Sequence, residues 1–310
     1  MTQNVLITGG AGRCARYVAA ELEGRYNVTL FDRVTPSQSR IPWETKLPFV
    51  LGDLTNLGDC MRAIAHAKAD AIIHLGAIPY ATEHALRMSS IPGLPRLPED
   101  ETMRVNTMGT FYILDAARRL GVQKVVMAST FYVLGLGFRH SKDPFVVEYL
   151  PIDEEHPLRP EDTYSLSKLL GEEMLKAFGR AYGIQGIAFR LMGIDYPDDP
   201  RHRKNHVPEV TPNHVGGPIG TTYQYVDARD VAQACRLALE AEGLDLFEAF
   251  YLSTDTQLAE ETRTVVERLY PDLREMAKNL HGYEGIISIE KARRKLGYEP
   301  KHSWRQEASA

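Results

Sequence analysis

A cluster of glycines between a strand pattern and a helix pattern constrains the fold of this chain more than any other feature. The apolar run NVLIT at residues 4–8 leads into Gly9, Gly10 and Gly12, and a helical pattern follows. Glycines at such a turn let the backbone approach a pyrophosphate, whose charge then faces the helix N-terminus. The turn matches either G-x-G-x-x-A or T-G-x-x-G-x-x-A, and both patterns accept the small Ala15 at their last position. Both alternatives predict a dinucleotide-binding loop.

The next part of the chain alternates strand and helix patterns. Further strands are predicted at 27–33, 47–54, 69–77, 124–130 and 184–192, and helices at 56–67, 99–120 and 162–182. The strand at 69–77 is apolar with little interruption, which is typical of a sheet covered on both faces. Such alternation predicts the α/β class, with a Rossmann-type doubly wound parallel sheet.

The regular alternation fails after about residue 193. A polar segment rich in Pro and Gly follows, and later a strand, a helix and one more strand are predicted within 221–253. We therefore expect residues 1–192 to form an NAD-binding Rossmann core, with residues 221–253 returning to it. Residues 193–220 and 254–310 would form a small C-terminal substrate-binding lobe.

Composition excludes several classes of protein. The formal net charge is −5 and the pI is about 6.1, whereas a nucleic-acid-binding surface needs a basic balance. The three cysteines are far apart in sequence, which favours neither a metal site nor a disulfide framework. No apolar run approaches the roughly 18–20 residues of a membrane span, and the N-terminus does not resemble a signal peptide. We expect a cytoplasmic protein without a metal, a nucleic-acid partner or a membrane segment.

Two acidic residues follow predicted strands on the nucleotide-binding side. Asp32 ends the second strand, 23 residues after Gly9, where a carboxylate accepts hydrogen bonds from ribose hydroxyls and repels a 2′-phosphate. Arg33 follows and would weaken that discrimination, but the pattern favours NAD over NADP. Asp53 ends the third strand, where it would meet the adenine amino group or, alternatively, cap a helix.

Three kinds of polar side chain are predicted to meet beyond the strand ends. Ser129 and Thr130 end the fifth strand, and Tyr164 and Lys168 lie four residues apart on the following helix, so they share one face. Oxidation of a carbinol requires its proton to leave as hydride departs, and a general base assists that step. A nearby ammonium lowers the pKa of a phenol, so Tyr164 is the predicted base.

In this arrangement the chain resembles an extended short-chain dehydrogenase/reductase of the NAD-dependent epimerase/dehydratase family. The resemblance covers roughly residues 5 to 240 and rests on TGGAGRCA, FDR, GDL, HLGA, RVNTMGT, MASTFYVLG, YSLSK and YVDARDVA, in that order. It implies that Tyr164 is the acid/base and that Lys168 holds the nicotinamide ribose. Thr130 would be the catalytic hydroxyl, with Ser129 as the alternative, and Asn106 would support the active-site geometry.

The resemblance also implies a wider set of contacts. The cofactor would contact Gly9, Gly10, Gly12, Arg13, Cys14, Asp32, Arg33, Asp53, Leu54, Leu75, Gly76, Ala77, Asn106, Tyr164, Lys168 and Met192. The substrate would contact Pro79, Thr130, Phe131, Arg201 and Arg203. The helices at 99–120 and 162–182 would pair across subunits, which implies a homodimer.

The substrate remains open between two classes. Family members that act on nucleotide sugars have a segment similar to R-Y-F-N after the sixth strand, but this chain has Gly193 in place of the asparagine. Tyr223 replaces an arginine that approaches the diphosphate in those epimerases, and Phe131 and Tyr132 replace the acidic pair of dehydratases. HLGAIP and PLRPEDTYSLSK are similar to uronate dehydrogenases and related free-sugar oxidoreductases.

These observations favour an NAD-dependent dehydrogenase of a sugar or sugar acid. The alternatives are a UDP-sugar epimerase and a non-catalytic nucleotide-sensing protein. The basic run RHRKNH at 201–206 would bind a carboxylate or phosphate, or would be a solvated loop.

Overall fold

The computed structural model of the protein describes residues 2–84, 97–141, 143, 145–199 and 223–307. Its strands are β1 (Asn4–Thr8), β2 (Asn27–Asp32), β3 (Phe49–Leu51), β4 (Ala71–His74), β5 (Lys124–Thr130), β6 (Gln185–Leu191), β7 (Gly193–Asp195), β8 (Gln224–Asp227), β9 (Phe247–Leu252) and β10 (Asp255–Thr256). Its α-helices are α1 (Arg13–Leu22), α2 (Leu57–Ala67), α3 (Glu101–Leu120), α4 (Thr163–Tyr182), α5 (Ala228–Glu240), α6 (Thr262–Leu269), α7 (Arg274–Ala277), α8 (Glu290–Leu296) and α9 (Trp304–Glu307).

Seven of the described strands form one parallel sheet. Their order is β3-β2-β1-β4-β5-β6-β9, so the chain moves outward from β1 in one direction and then returns to build the other half. Every neighbouring pair in this sheet is parallel. The predicted Rossmann-type doubly wound sheet is therefore confirmed.

Helices cover both faces of this sheet because successive strand residues point to opposite faces. On β1, Val5 and Ile7 belong to one buried cluster with side chains of α1 and α5. Leu6 belongs to a second buried cluster with side chains of α2, α3 and α4. The two layers explain why the central strands are almost wholly apolar.

The segment after β6 differs from the prediction. β8, at Gln224–Asp227, does not return to the large sheet but pairs with β7 and β10 in a separate three-stranded sheet. α5 packs against α1, and β9 joins the large sheet beside β6. The length of a strand pattern does not reveal which sheet it joins, because pairing depends on distant partners.

Candidate active site

The glycine turn forms a narrow crossing of two backbone segments beyond β1 and β4. Gly9 has φ +67°, and a Cβ there would lie 2.7 Å from the backbone nitrogen of Gly76. A Cβ on Gly76 would lie 3.0 Å from the backbone nitrogen of Gly9 and 2.5 Å from Leu54 Cδ1. Only glycine satisfies both the left-handed conformation and this close approach. The turn then leads directly into α1, whose N-terminal N–H groups favour an anion.

Two adjoining cavities lie on either side of this turn. The first has a volume of about 190 Å³ and is lined by Asp32, Arg33, Gly52, Asp53, Leu54, Gly76, Ile78, Arg104 and Val105, among others. The second has a volume of about 410 Å³ and is lined by Arg13, Cys14, Pro79, Ser129, Thr130, Phe131, Tyr132, Tyr164, Lys168, Leu191, Met192, Ile194 and Tyr196, among others. Both cavities share Gly9, Gly12, Leu75 and Ala77, so they form one elongated cleft.

The order of chemical groups along the cleft suits the predicted dinucleotide. It places a carboxylate at one end, the glycine turn and a helix N-terminus in the middle, and hydroxyl and ammonium groups at the other end. Of the predicted contacts, Gly10 and Asn106 do not line the cleft. Gly10 packs against β2 by donating its N–H to the Phe31 carbonyl at 3.0 Å. Arg201 and Arg203 lie outside the described residues.

Asp32 lies where the sequence predicts an acid for the ribose. Its Oδ2 accepts a hydrogen bond from the Ala11 N–H at 3.0 Å, and its Oδ1 accepts one from the Arg33 N–H at 2.7 Å. Burial raises the pKa of this carboxyl, and these backbone bonds oppose the shift. The carboxylate is thus tied to the glycine turn as well as facing the cleft.

Asp53 does not cap a helix. Asn56 accepts the capping hydrogen bond from the Asp59 N–H at 3.2 Å, whereas Asp53 accepts bonds from the Thr55 N–H and hydroxyl at 2.7 and 2.8 Å. Burial opposes ionisation of Asp53, but the bonds from Thr55 hold the pKa below its usual value. Its place in the cleft wall therefore favours the adenine-side alternative over the capping alternative.

Tyr164 and Lys168 lie on the first two turns of α4 and face the second cavity. The Lys168 ammonium donates a hydrogen bond to the Ala128 carbonyl at 2.8 Å and lies 5.9 Å from the centroid of the Tyr164 ring. Burial lowers the pKa of Lys168 to about 8 and raises the pKa of Tyr164 to about 12, while a hydrogen bond with Thr130 opposes the latter shift.

The expectation that Lys168 lowers the pKa of Tyr164 is not met by this arrangement. The Lys168 ammonium is directed at the main chain of β5, and burial raises the pKa of the phenol.

The two hydroxyls at the end of β5 have different partners. Thr130 lines the second cavity together with Tyr164, opposes the rise in the pKa of that phenol, and accepts a hydrogen bond from the Tyr132 N–H at 3.3 Å. Ser129 donates its hydroxyl to Oε1 of the buried Glu172 at 2.6 Å. The Ser129 alternative is therefore disfavoured, because its hydroxyl is committed to a carboxylate rather than to the phenol.

Asn106 holds the two sides of the site together without facing the cleft. Its Oδ1 accepts a hydrogen bond from the Ile78 N–H at 2.8 Å, and its Nδ2 donates to the Ile78 carbonyl and to the Ser167 hydroxyl, both at 3.0 Å. Ser167 lies between Tyr164 and Lys168 on α4. Asn106 thus positions both the wall that contains Pro79 and the helix that bears Tyr164.

Arg13 lines the second cavity and also binds two acidic residues after β7. Its guanidinium bonds to Asp198 at 2.6 Å and Asp199 at 2.9 Å, and its central carbon lies 4.2 Å from the centroid of the Tyr196 ring. These contacts fasten the segment after β7 onto α1. The adjacent Asp198 and Asp199 indicate a contact with a cation, but Asp198 lies 185 residues from its partner Arg13.

Further groups near the site were not anticipated from the sequence. Tyr196 and Ile194 line the second cavity, and a buried pair of Glu172 and Arg190 lies beneath it. Of these residues, only Glu172 could have been found from the sequence. It follows Lys168 by four residues, which is the spacing between Tyr164 and Lys168.

Membrane-spanning helices and metal-binding clusters are both absent from the described residues. Within the described ranges, no helix is long and apolar enough to span a membrane. The same residues contain no group of three His, Cys, Asp or Glu side chains that could hold a metal ion.

Both predicted substrate classes are represented among the curated relatives of this chain. The chain is 28% identical over 244 residues to a putative UDP-glucose 4-epimerase of Methanocaldococcus jannaschii, covering 76% of this chain and 73% of that protein. It is 27% identical over 194 residues to a uronate dehydrogenase of Pseudomonas putida, covering 62% of this chain and 61% of that enzyme.

Solved structures share the fold at lower identity. A short-chain dehydrogenase/reductase superfamily protein from Agrobacterium tumefaciens with bound NAD has a TM-score of 0.68 at 23% identity, covering 98% of this chain and 94% of that one. UDP-glucose 4-epimerase from Thermotoga maritima with UDP-glucose has a TM-score of 0.66 at 21% identity, covering 97% and 94%.

One family accounts for the fold, the glycine turn and the polar groups of the cleft. Residues 5–246 match the NAD dependent epimerase/dehydratase family, which covers well over half of the chain. The predicted resemblance is confirmed over this range. This protein belongs to the NAD-dependent epimerase/dehydratase family, and its cofactor is NAD.

Proposed function

We propose that this protein oxidises a hydroxyl group of a sugar or sugar acid by hydride transfer to NAD, with Tyr164 as the acid/base. The observation behind the proposal is the convergence of Thr130, Tyr164 and Lys168 at one end of a dinucleotide-shaped cleft. When bound, NAD supplies the hydride acceptor. Thr130 holds the substrate oxygen against Tyr164, and Tyr164 takes the hydroxyl proton as hydride leaves. Lys168 would hold the nicotinamide ribose and keep positive charge beside Tyr164.

The described wall of the second cavity supports a free sugar or sugar acid over a nucleotide sugar. A diphosphate is usually held by cationic or amide donors. Gly193 has no side chain, and a Cβ there would meet no atom within 4 Å. In sequence, Tyr223 replaces the arginine that approaches the diphosphate in those epimerases. A carboxylate on the substrate would be bound by Arg201 and Arg203.

The small sheet and residues 254–307 would form the substrate-binding lobe, and the protein would work as a homodimer. The outer faces of α3 and α4 expose Met108, Phe111 and Leu166, each 38 or 39% accessible. Apolar side chains in such a patch are typical of a covered subunit surface. The preference for NAD over NADP would rest on Asp32, which lines the first cavity and would repel a 2′-phosphate.

The second candidate function is epimerisation of a UDP-sugar. It is favoured by the relatives and solved structures named as UDP-glucose 4-epimerases, which match most of the chain. Both reactions begin with the same oxidation and use the same three residues. A nucleotide-sensing protein, the third alternative, would have no need of the Thr130–Tyr164 contact.

The test is incubation of the purified protein with NAD and a panel of uronates, free aldoses and UDP-sugars. Net formation of NADH with a free sugar or uronate is the expected result. Conversion of a UDP-sugar into its epimer without net NADH would overturn the dehydrogenase and establish the second candidate. The absence of both reactions in a protein that binds NAD would favour the sensing alternative.

The role of Tyr164 is tested with the Tyr164→Phe variant. It should lower kcat by roughly 10²- to 10⁴-fold, the usual contribution of a general acid/base, with NAD affinity almost unchanged. Tyr182→Phe is the matched control, because Tyr182 ends the same helix and is 53% exposed. A fully active Tyr164→Phe variant would refute the assignment.

A further inference from the structure

A buried ion pair lies directly beneath the proposed catalytic groups. Glu172 on α4 and Arg190 on β6 are joined by two hydrogen bonds, from Nε to Oε1 at 3.1 Å and from Nη2 to Oε2 at 2.9 Å. Their side chains are 0% and 4% exposed. Neither residue touches the cleft, so the pair cannot contact substrate or cofactor.

The carboxylate belongs to the same helix face as the catalytic groups. Tyr164, Lys168 and Glu172 follow one another at intervals of four residues, which places them in one row along α4. Each member of the row contacts one of three consecutive residues of β5. The phenol shares the second cavity with Thr130, the ammonium donates to the Ala128 carbonyl at 2.8 Å, and the carboxylate accepts from the Ser129 hydroxyl at 2.6 Å.

The guanidinium is held in turn by the neighbouring strands. Arg190 on β6 pairs in register with Ser129 on β5 and with Tyr251 on β9. This row of the sheet lies one residue before the row that contains Thr130. Arg190 Nη1 also donates to the Glu154 carbonyl at 3.2 Å and to the Tyr251 hydroxyl at 3.4 Å. The pair thus links α4 to three strands in the row next to the catalytic hydroxyl.

Stability alone is a weak reason for such a pair. Removing two charges from water is costly, and well-packed apolar side chains of similar volume often stabilise a protein equally well. Apolar contacts, however, allow a helix to shift or rotate slightly, whereas a two-bond guanidinium–carboxylate contact has a defined geometry. The rigid contact therefore defines the rotation of α4 about its axis and its height along β5.

We propose that the Glu172–Arg190 pair is a positioning pair, which holds α4 in the register that brings the Tyr164 phenol to the Thr130 hydroxyl. The proposal rests on the proposed function in taking Tyr164 as the acid/base. Misplacement of a reacting group by about 1 Å can lower a rate by about 100-fold. Loss of the pair should therefore lower kcat far more than it lowers stability or NAD affinity.

The test replaces the pair by apolar residues in the Glu172→Leu/Arg190→Met variant. We expect the temperature of unfolding to change by only a few degrees and the NAD dissociation constant by less than about threefold, while kcat falls by about 10- to 100-fold. The loss should disappear when Tyr164 is already Phe, because residues that act together are not additive. A merely structural role would lower activity equally in both backgrounds, and that result would overturn the proposal.

Glu248→Gln is the matched control. Glu248 is also a buried carboxylate, 4% exposed and paired with Lys291 at 2.8 Å, but it lies on β9 and lines neither cavity of the cleft. Its loss should leave kcat within about twofold. If the double variant does not fold, Arg190→Lys replaces it, since lysine keeps the charge without the planar two-bond geometry. Arg190→Lys should show the same fall in kcat, and unchanged kcat would overturn the proposal.

A measurement without substrate separates this proposal from the proposed function. With ¹³C-labelled tyrosine, the Tyr164 resonance and its titration are followed by NMR in the wild type and the variants. The resonance should shift in the apolar double variant and stay in place in Glu248→Gln, even if no sugar on the panel reacts. An unchanged Tyr164 resonance in the apolar double variant would refute the positioning role.

Discussion

Replacing the buried His74 by Gln should make this protein markedly less sensitive to acid. His74 ends β4 below the crossing of Gly9 and Gly76, with its Nδ1 2.6 Å from the Thr8 hydroxyl and its Nε2 3.1 Å from the Thr110 hydroxyl. Thr110 donates its own hydrogen to the Asn106 carbonyl at 2.7 Å, so His74 Nε2 must be the donor in the contact with Thr110. Thr8 accepts from the Gly76 N–H at 3.2 Å and can donate to Nδ1.

This chain of hydrogen bonds suits the neutral imidazole. The pKa of His74 is lowered from 6.5 to about 3, mainly by burial and then by the positive charge of Lys168. The unfolded chain binds a proton near pH 6.5, while the folded protein resists protonation until about pH 3. Stability from the neutral ring is therefore complete above pH 6.5 and is lost as the pH falls. Linkage gives a loss of about 2 kcal/mol at about pH 5, and a limit near 5 kcal/mol below about pH 3.

The assay is urea unfolding of the wild type and His74→Gln at about pH 7.5 and about pH 5. Other titrating groups cancel in the comparison, so the wild type should lose about 2 kcal/mol more than the variant between the two conditions. His66→Gln, at an exposed position on α2, is the control and should follow the wild type. Equal pH dependence in the wild type and His74→Gln would show that the ring is protonated in the folded protein and would refute the reasoning.

Three further predictions concern the cofactor and the subunit contact. Gly9→Ala should weaken NAD binding at least about tenfold in a fluorescence titration, because its Cβ would clash with Gly76. Gly24→Ala is the control and should bind NAD normally, because it has the same left-handed strain but no neighbour within 4 Å. Asp32→Ala should shift the ratio of dissociation constants toward NADP by about tenfold or more, since the repulsion of a 2′-phosphate is removed; an unchanged ratio would contradict its role. Light scattering should give a dimeric mass for the wild type and a monomeric mass for Phe111→Glu, and a monomeric wild type would contradict the predicted homodimer.

Local patterns were sufficient to predict most of the elements. The helices expected at 99–120 and 162–182 begin and end within two residues of α3 and α4, and the glycine turn lies between β1 and α1. These features depend on neighbours in sequence: the period of apolar side chains, the caps and the glycines. The strand expected at 47–54 is reduced to Phe49–Leu51, because an edge strand is only as long as its pairing with β2.

The sequence by itself determined the α/β architecture, the dinucleotide loop, and the presence of a phenol and an ammonium on one helix face. Only the tertiary structure decided that Ser129 donates to Glu172, that Lys168 is directed at Ala128, and that Glu172 pairs with Arg190 beneath the site. Each of these contacts depends on the height and rotation of α4 against β5 and β6. That register is set by contacts between residues 18 to 61 positions apart, and no local pattern contains the directions of their side chains.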